Sequence, residues 1–295
     1  MTYLGAKILE RTDSVQKKSV WVKAALTMTL FTSTTSTFAE EWSDTAISWR
    51  HGSTFSEPYN PNDISKNIFA LTHAGGYSFG SQFFNVDLLE SDSADPGAGT
   101  TGGAQEAYVV YRNTVDIGKV TGSPVKYGPM RDAGFTFGFD WNTKNDAGYG
   151  SKKRMLVIGP TLVMDVPGFF NLDLLALFES NDPNGIPNRY TYKTHAALST
   201  EWGMPVGKIV SIPISFEGFG LFIASKGLNE FGGATSPETN IDAELMFDIS
   251  SLFGTAQNTF RVGPEYQYWK NKFGNPSSVP GSLARTPMIR IDSHF

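Results

Sequence analysis

The last residues of the chain alternate in character. Ile289, Ile291 and the terminal Phe295 fall on one parity, and Met288, Arg290, Asp292 and His294 on the other. This describes a β-strand with one apolar and one charged face. Ser293 is the one polar residue on the apolar parity. The rhythm recurs upstream, where Ile241, Ala243, Leu245, Phe247 and Ile249 alternate with Asp242, Glu244, Met246 and Asp248. Phe170, Leu172, Leu174, Ala176 and Phe178 oppose Asn171, Asp173 and the following Glu179, and Ala133, Phe135, Phe137, Phe139 and Trp141 oppose Gly134, Thr136, Gly138 and Asp140. A 3.6-residue helical period cannot place these sets on separate faces.

Twelve segments of this type occur, near residues 44–53, 66–75, 80–90, 104–115, 132–142, 153–166, 169–179, 190–202, 210–224, 238–249, 258–270 and 286–295. Most approach the roughly nine to eleven residues a tilted strand needs to cross hydrocarbon. Long connections rich in Gly, Asn, Asp and Pro (54–65, 91–103, 143–152, 180–189, 225–237, 271–285) alternate with short ones at 76–79, Pro167-Gly168, 203–209 and 250–257. Residues 116–131 are too long for a simple turn and leave room for a short extra element. The chain has no 18-residue apolar run, which excludes a bundle of membrane helices.

The N-terminal region points to export. Lys17, Lys18 and Lys23 precede a short apolar stretch, Ala24 to Phe31, and then a polar run ending Thr37-Phe38-Ala39. This predicts a signal peptide over 1–39 and a mature domain over 40–295, with translation starting nearer the lysines if the basic region is over-long. Five of the 24 Lys+Arg and two of the 29 Asp+Glu lie in residues 1–39, leaving 19 against 27 and a mature net charge of −8. An acidic balance argues against a nucleic-acid polymer as partner. The chain has no cysteine, so neither disulfides nor thiol chemistry enter, and neither a metal-ligand cluster nor a phosphate loop is seen in the sequence.

Alternation alone fits a soluble sandwich as well as a barrel. The export signal, the terminal aromatic and the even strand number favour an all-β fold, a twelve-stranded antiparallel transmembrane barrel of the outer membrane, with both termini in the periplasm. Trp42, Trp141, Trp202, Trp269, Tyr190, Tyr192, Tyr266 and Tyr268 cluster toward predicted strand ends, where aromatic girdles belong. The partners this implies are membrane lipid, the barrel assembly machinery and small polar solutes.

Several blocks carry a family likeness. Trp42-Ser43-Asp44, Arg50-His51-Gly52, the run Glu57-Pro58-Tyr59-Asn60-Pro61-Asn62-Asp63-Ile64-Ser65-Lys66, and Phe83 to Leu89 resemble the Tsx-like nucleoside-specific channel family, in particular its outer envelope protein branch. Gly102 to Glu106, Lys144-Asn145-Asp146, Lys153 to Leu156, Asp165 to Phe169 and Asn271 to Gly274 are similar to the same branch. The resemblance implies a twelve-stranded barrel with a narrow lumen and passive nucleoside uptake. It places no binding residue on a numbered position here.

Strand parity supplies the candidates instead. The charged or polar residues expected to line the lumen are Arg50, Asn85, Asp87, Asp140, Asp173, Lys193, His195, Glu217, Asp242, Glu244, Asp248, Arg261, Glu265, Gln267, Arg290 and Asp292, with Phe219 and Trp269 as aromatics able to stack on a flat solute. Acids exceed bases in this set, which favours neutral or cationic solutes over anions. Arg50, Arg261 and Arg290 are expected to pair with acids on neighbouring strands. Asp242, Glu244 and Asp248 have too few evident cationic partners, so some of them are expected to face water. Two other classes stay open: an outer-membrane lipid hydrolase, for which His195 and Ser199 share one inward parity, and a structural or adhesion barrel whose lumen is plugged by salt bridges. No cofactor is expected.

Overall fold

The computed structural model describes residues 40–295, so the expected signal peptide lies outside the described residues. Twelve long strands form an up-and-down meander: β1 (Glu40–Phe55), β2 (Ile64–Tyr77), β3 (Gly80–Ser91), β4 (Gln105–Asp116), β5 (Met130–Lys144), β6 (Arg154–Met164), β7 (Phe169–Asn181), β9 (His195–Ile209), β10 (Ile212–Ile223), β11 (Glu238–Asp248), β12 (Phe260–Lys270) and β13 (Leu283–His294). The two-residue β8 (Tyr190–Thr191) continues the edge of β9 across a break, since it pairs with Ser180 and Asn181 of β7 beyond the β7–β9 ladder. Every neighbouring pair is antiparallel, β6 pairs with β7, and β1 pairs with β13. The sheet is therefore a closed twelve-stranded barrel without a free edge, the condition for a sheet to sit in lipid.

Parity reads out as expected. Along β11 the residues from Glu238 to Asp248 alternate between buried and half-buried, with Asp242, Glu244 and Asp248 all inside. Outside runs an apolar belt of exposed side chains, including Ile47, Phe135, Phe137, Phe139, Leu156 (62% exposed), Leu174 (58%), Leu198 and Ile291. So much apolar surface around the whole circumference is a membrane-facing wall.

Two local expectations change, and a third is met. Residues 203–209 continue β9 rather than link strands, because the irregular Gly203–Gly207 stretch is absorbed by a bulge opposite Ile214 and Ser215, with Gly207 at φ 139°. The turn itself is Val210-Ser211, both at positive φ, as a two-residue type I′ hairpin requires. Residues 116–131 hold the extra element, a short helix α1 (Ile117–Thr121) closed by Gly122 at φ 73°. The girdle is also thinner than expected. Trp141 and Tyr266 are exposed on the outside, whereas Trp42 is exposed on the inward parity at the start of β1, Trp202 lies nearly buried against Phe216, and Tyr192 is buried.

Leu174 sits mid-strand on the outer face beside Leu198. Leu174→Arg should cost about 2–4 kcal/mol of folding free energy in a bilayer, read as a shift in the urea unfolding midpoint of liposome-reconstituted protein.

Candidate functional site in the barrel lumen

The inner wall is organised by three arginines. Arg50 and Arg290 are direct cross-strand partners on β1 and β13, a like-charge juxtaposition that alone would be unfavourable. Glu265 of β12 sits between them, with one carboxylate oxygen 3.4 Å from Arg50 and the other 3.5 Å from Arg290. Glu265 heads a row of three carboxylates, because β10–β11–β12 pairing sets Glu217, Glu244 and Glu265 side by side. Each acid in the row takes a guanidinium: Glu217 with Arg261 at 2.5 Å, Glu244 with Arg290 at 2.5 Å, and Glu265 with Arg50 and the shared Arg290.

The network continues at both ends. Arg50 reaches Asp87 of β3 at 2.6 Å, and Asn85 donates to the same Asp87 oxygen. Asp292 is fully buried between Arg290 (2.8 Å) and Arg261 (3.1 Å). Below it, His294 Nδ1 lies 2.8 Å from Asp44. Arg50, Arg261 and Arg290 thus pair as the sequence leads one to expect.

The water-facing expectation for the β11 acids does not hold. Glu244 is taken by Arg290, and Asp248 accepts hydrogen bonds from the Ser250 and Asn258 backbone N–H groups and the Ser250 hydroxyl. Asp242 accepts from Gln267 at 3.4 Å and is likewise buried. Parity shows which face a residue occupies, but pairing depends on diagonal reach across strands far apart in sequence.

The opposite wall is built differently. Asp140 pairs with Arg112 at 2.6 Å and accepts from the Tyr108 hydroxyl, to which Lys153 donates. Asp173 accepts from Thr161 at 2.6 Å. Met155, Val157, Leu175, Leu177 and Ala197 form an inward-facing apolar cluster on β6, β7 and β9. Phe219 lies half-buried on the inner face, with the carboxylate-bearing Glu201 and Asp242 as its cross-strand neighbours. Trp269 is not free to stack on a solute: its indole N–H donates to Glu238 at 2.5 Å, Phe273 meets its ring edge-on, and the Lys272 ammonium lies 4.6 Å from the ring centre. His195 and Ser199 do not form a catalytic pair. His195 Nδ1 faces the Lys193 carbonyl at 2.9 Å, and Ser199 donates to Glu201 at 2.5 Å. Lys193 itself is exposed at the outer rim rather than in the lumen.

A group that strand parity misses lies at the outer mouth. Glu57, in the connection between β1 and β2, takes three ammonium groups on one oxygen: Lys66 at 2.6 Å, Lys144 at 3.4 Å and Lys272 at 3.4 Å. Asp95 supports two of them, 2.9 Å from Lys144 and 3.8 Å from Lys66, and Lys272 also donates to the Ser56 carbonyl. The loop is tied down further where the Tyr59 N–H donates to the Pro280 carbonyl and the Asn60 amide to that of Ala94. Burial by itself would raise the Glu57 carboxyl, but Lys272, Lys66 and Lys144 outweigh it and hold it well below the usual carboxylate range. Burial pushes the Lys272 ammonium the other way, below the ordinary lysine value, against the pull of Glu57. A second loop enters nearby, where Glu230 accepts from the Tyr192 hydroxyl at 2.6 Å and also from Tyr149. At the inner end a cavity of about 310 Å³ is bordered by Asp44, Glu217, Asp248 and Arg261.

No family model matches the chain, and no curated protein matches it. Among solved structures it is similar to the KdgM porin (TM-score 0.40, 8% identity, 85% of this chain and 99% of that chain). It is also similar to the NanC porin (TM-score 0.43, 8% identity, 84% and 98%). A third likeness is to the translocator domain of the autotransporter NalP from Neisseria meningitidis (TM-score 0.42, 12% identity, 92% and 93%).

Arg290→Ala would leave Glu244, Glu265 and Asp292 without a shared cation. It should destabilise the barrel by about 3–5 kcal/mol in urea unfolding, because uncompensated buried charge costs more than the pair contributes. The Glu57 contacts carry their own pH signature. A carboxyl depressed in the folded state stabilises above its unfolded value of about 4.3, and that contribution is lost only as pH falls through the lower folded value. Protection of the 56–63 loop from protease should therefore be unchanged between pH 7 and pH 5 in the native protein, and reduced at both pH values in Glu57→Gln.

Proposed function

We propose that the chain is an outer-membrane channel for passive passage of small polar solutes, with nucleosides as the leading substrate. In this reading residues 1–39 direct export and are removed, and the mature domain reaches the outer membrane through the periplasm and the barrel assembly machinery. The protein itself does no chemistry. The observation that carries the proposal is the charge of the inner wall. In the central network five carboxylates (Asp87, Glu217, Glu244, Glu265 and Asp292) face three guanidiniums (Arg50, Arg261 and Arg290). An acid-rich lining disfavours anions and admits neutral or cationic solutes. Phe219 between Glu201 and Asp242 adds a ring face flanked by hydroxyl acceptors, which suits an uncharged solute with a flat base and a sugar.

A second reading has its own support. The continuous chain of ion pairs and the Glu57 contacts at the mouth also suit a structural or adhesion barrel with a closed lumen.

Single-channel recording of protein refolded in planar bilayers separates the two. The channel reading expects a small cation-preferring conductance, blocked reversibly by nucleosides and not by sugars of similar size. Anion preference, or block by both solute classes alike, would remove the nucleoside assignment. Silence from both the native protein and Glu57→Gln would leave the closed barrel as the answer.

A further inference from the structure

The outer wall carries a feature unrelated to the lumen. Between β5, β6 and β7 lies a groove of about 480 Å³. Its walls are Phe139 and Trp141 on one side and Phe178 on the other, with Leu156 between them. At the outer end of the same groove stands Arg154, the direct cross-strand partner of Trp141 and Ser180. Arg154 is exposed, and among the described residues no carboxylate lies within ion-pair distance of it. Two more cations share this rim. Lys152 is exposed, and Arg189 donates to the Lys152 carbonyl at 2.9 Å and to the Ser180 hydroxyl at 3.4 Å. One acid is close, Asp182, 3.9 Å from Arg189.

The placement is what matters. Below Arg154 the outward face is continuously apolar, through Leu156, Ile158 and Leu162 on β6 and Phe178 and Leu174 on β7. Arg154 thus sits where the hydrocarbon ends and the headgroups begin, with Trp141 beside it as the interfacial aromatic. A guanidinium at that depth with no protein partner presents a planar donor fork to whatever occupies the headgroup layer, and phosphate matches that fork in geometry and charge.

We propose that this groove is a binding site for one phosphate-bearing lipid of the outer leaflet. An acyl chain lies over Leu156 between Phe139, Trp141 and Phe178, and the phosphate is held by Arg154 with Lys152 and Arg189 at its margin. The site rests on the membrane placement proposed above and is independent of whether the barrel conducts.

The test uses the full mature barrel, native and Arg154→Ser, in detergent micelles titrated with bisphosphorylated lipid A, with its dephosphorylated form, and with phosphatidylcholine. Bound lipid is counted by native mass spectrometry. Arg285→Ser, which removes an exposed rim arginine on β13 on the far side of the barrel, serves as the control. The native protein and Arg285→Ser should retain one lipid A with an affinity on the order of tenfold above that of Arg154→Ser, and all three should hold the dephosphorylated form equally weakly. Equal retention of bisphosphorylated lipid A by native protein and Arg154→Ser would overturn the site. So would a species of two barrels without lipid that Arg154→Ser dissociates, since the groove would then belong to a second copy of the chain. A barrel that retains no lipid of any kind would instead count against the membrane placement.

Discussion

A sheet surrounded by hydrocarbon has no solvent to satisfy its edge groups, so the pairing of β1 with β13 is the constraint on which everything else depends. Closure turns each strand's alternation into an inside and an outside. Twelve strands make an interior wider than one filled by aliphatic side chains yet narrower than an open aqueous pore. Polar groups sent inward therefore meet one another, and burial there is tolerable only where charges and hydrogen-bonding groups find partners.

The clearest result of that crowding is the Arg50–Arg290 pair. Antiparallel register places two guanidiniums side by side, and Glu265 bridges them. The row Glu217–Glu244–Glu265 and the interleaved arginines form a zipper in which like-charge neighbours are offset by opposite charges one or two strands away. Such a wall is stiff and polar at once. Its acceptors are carboxylates already engaged by arginine, so the lining offers hydrogen-bond acceptors held in place rather than free charge. At the outer end Glu57 applies the same rule to a loop, tying the β1–β2 connection to lysines of β2, β5 and the β12–β13 connection.

Much of this could be read from residue order. The twelve segments, their inward and outward sets, the extra element after β4 and the partnering of the three arginines all follow from period-two alternation and simple charge rules. What escaped has identifiable causes. Tyr192 looked like a girdle residue because it lies near a strand end, and Trp269 on the inward parity looked free to stack, yet loop residues Glu230 for the one and Phe273 and Lys272 for the other fold over the rim and engage them. The Gly203–Gly207 stretch looked like a turn because glycine and proline mark bulges and turns alike. The Glu57 cluster had a faint signal. The blocks carrying the family likeness, at 57–66, 102–106, 144–146 and 271–274, each contribute one or more of Glu57, Lys66, Glu106, Lys144 and Lys272, and these charged groups converge at the mouth.

The sequence by itself determined the strands, their faces and the sign of the lumen, because side-chain parity is a local property set by the two-residue repeat of extended backbone. It could not decide which charges meet. Arg50 finds Glu265 across 215 positions and Lys272 finds Glu57 across another 215, contacts that exist only once the ring is closed and its loops have folded in. Parity shows where a charge points, and closure decides what it touches.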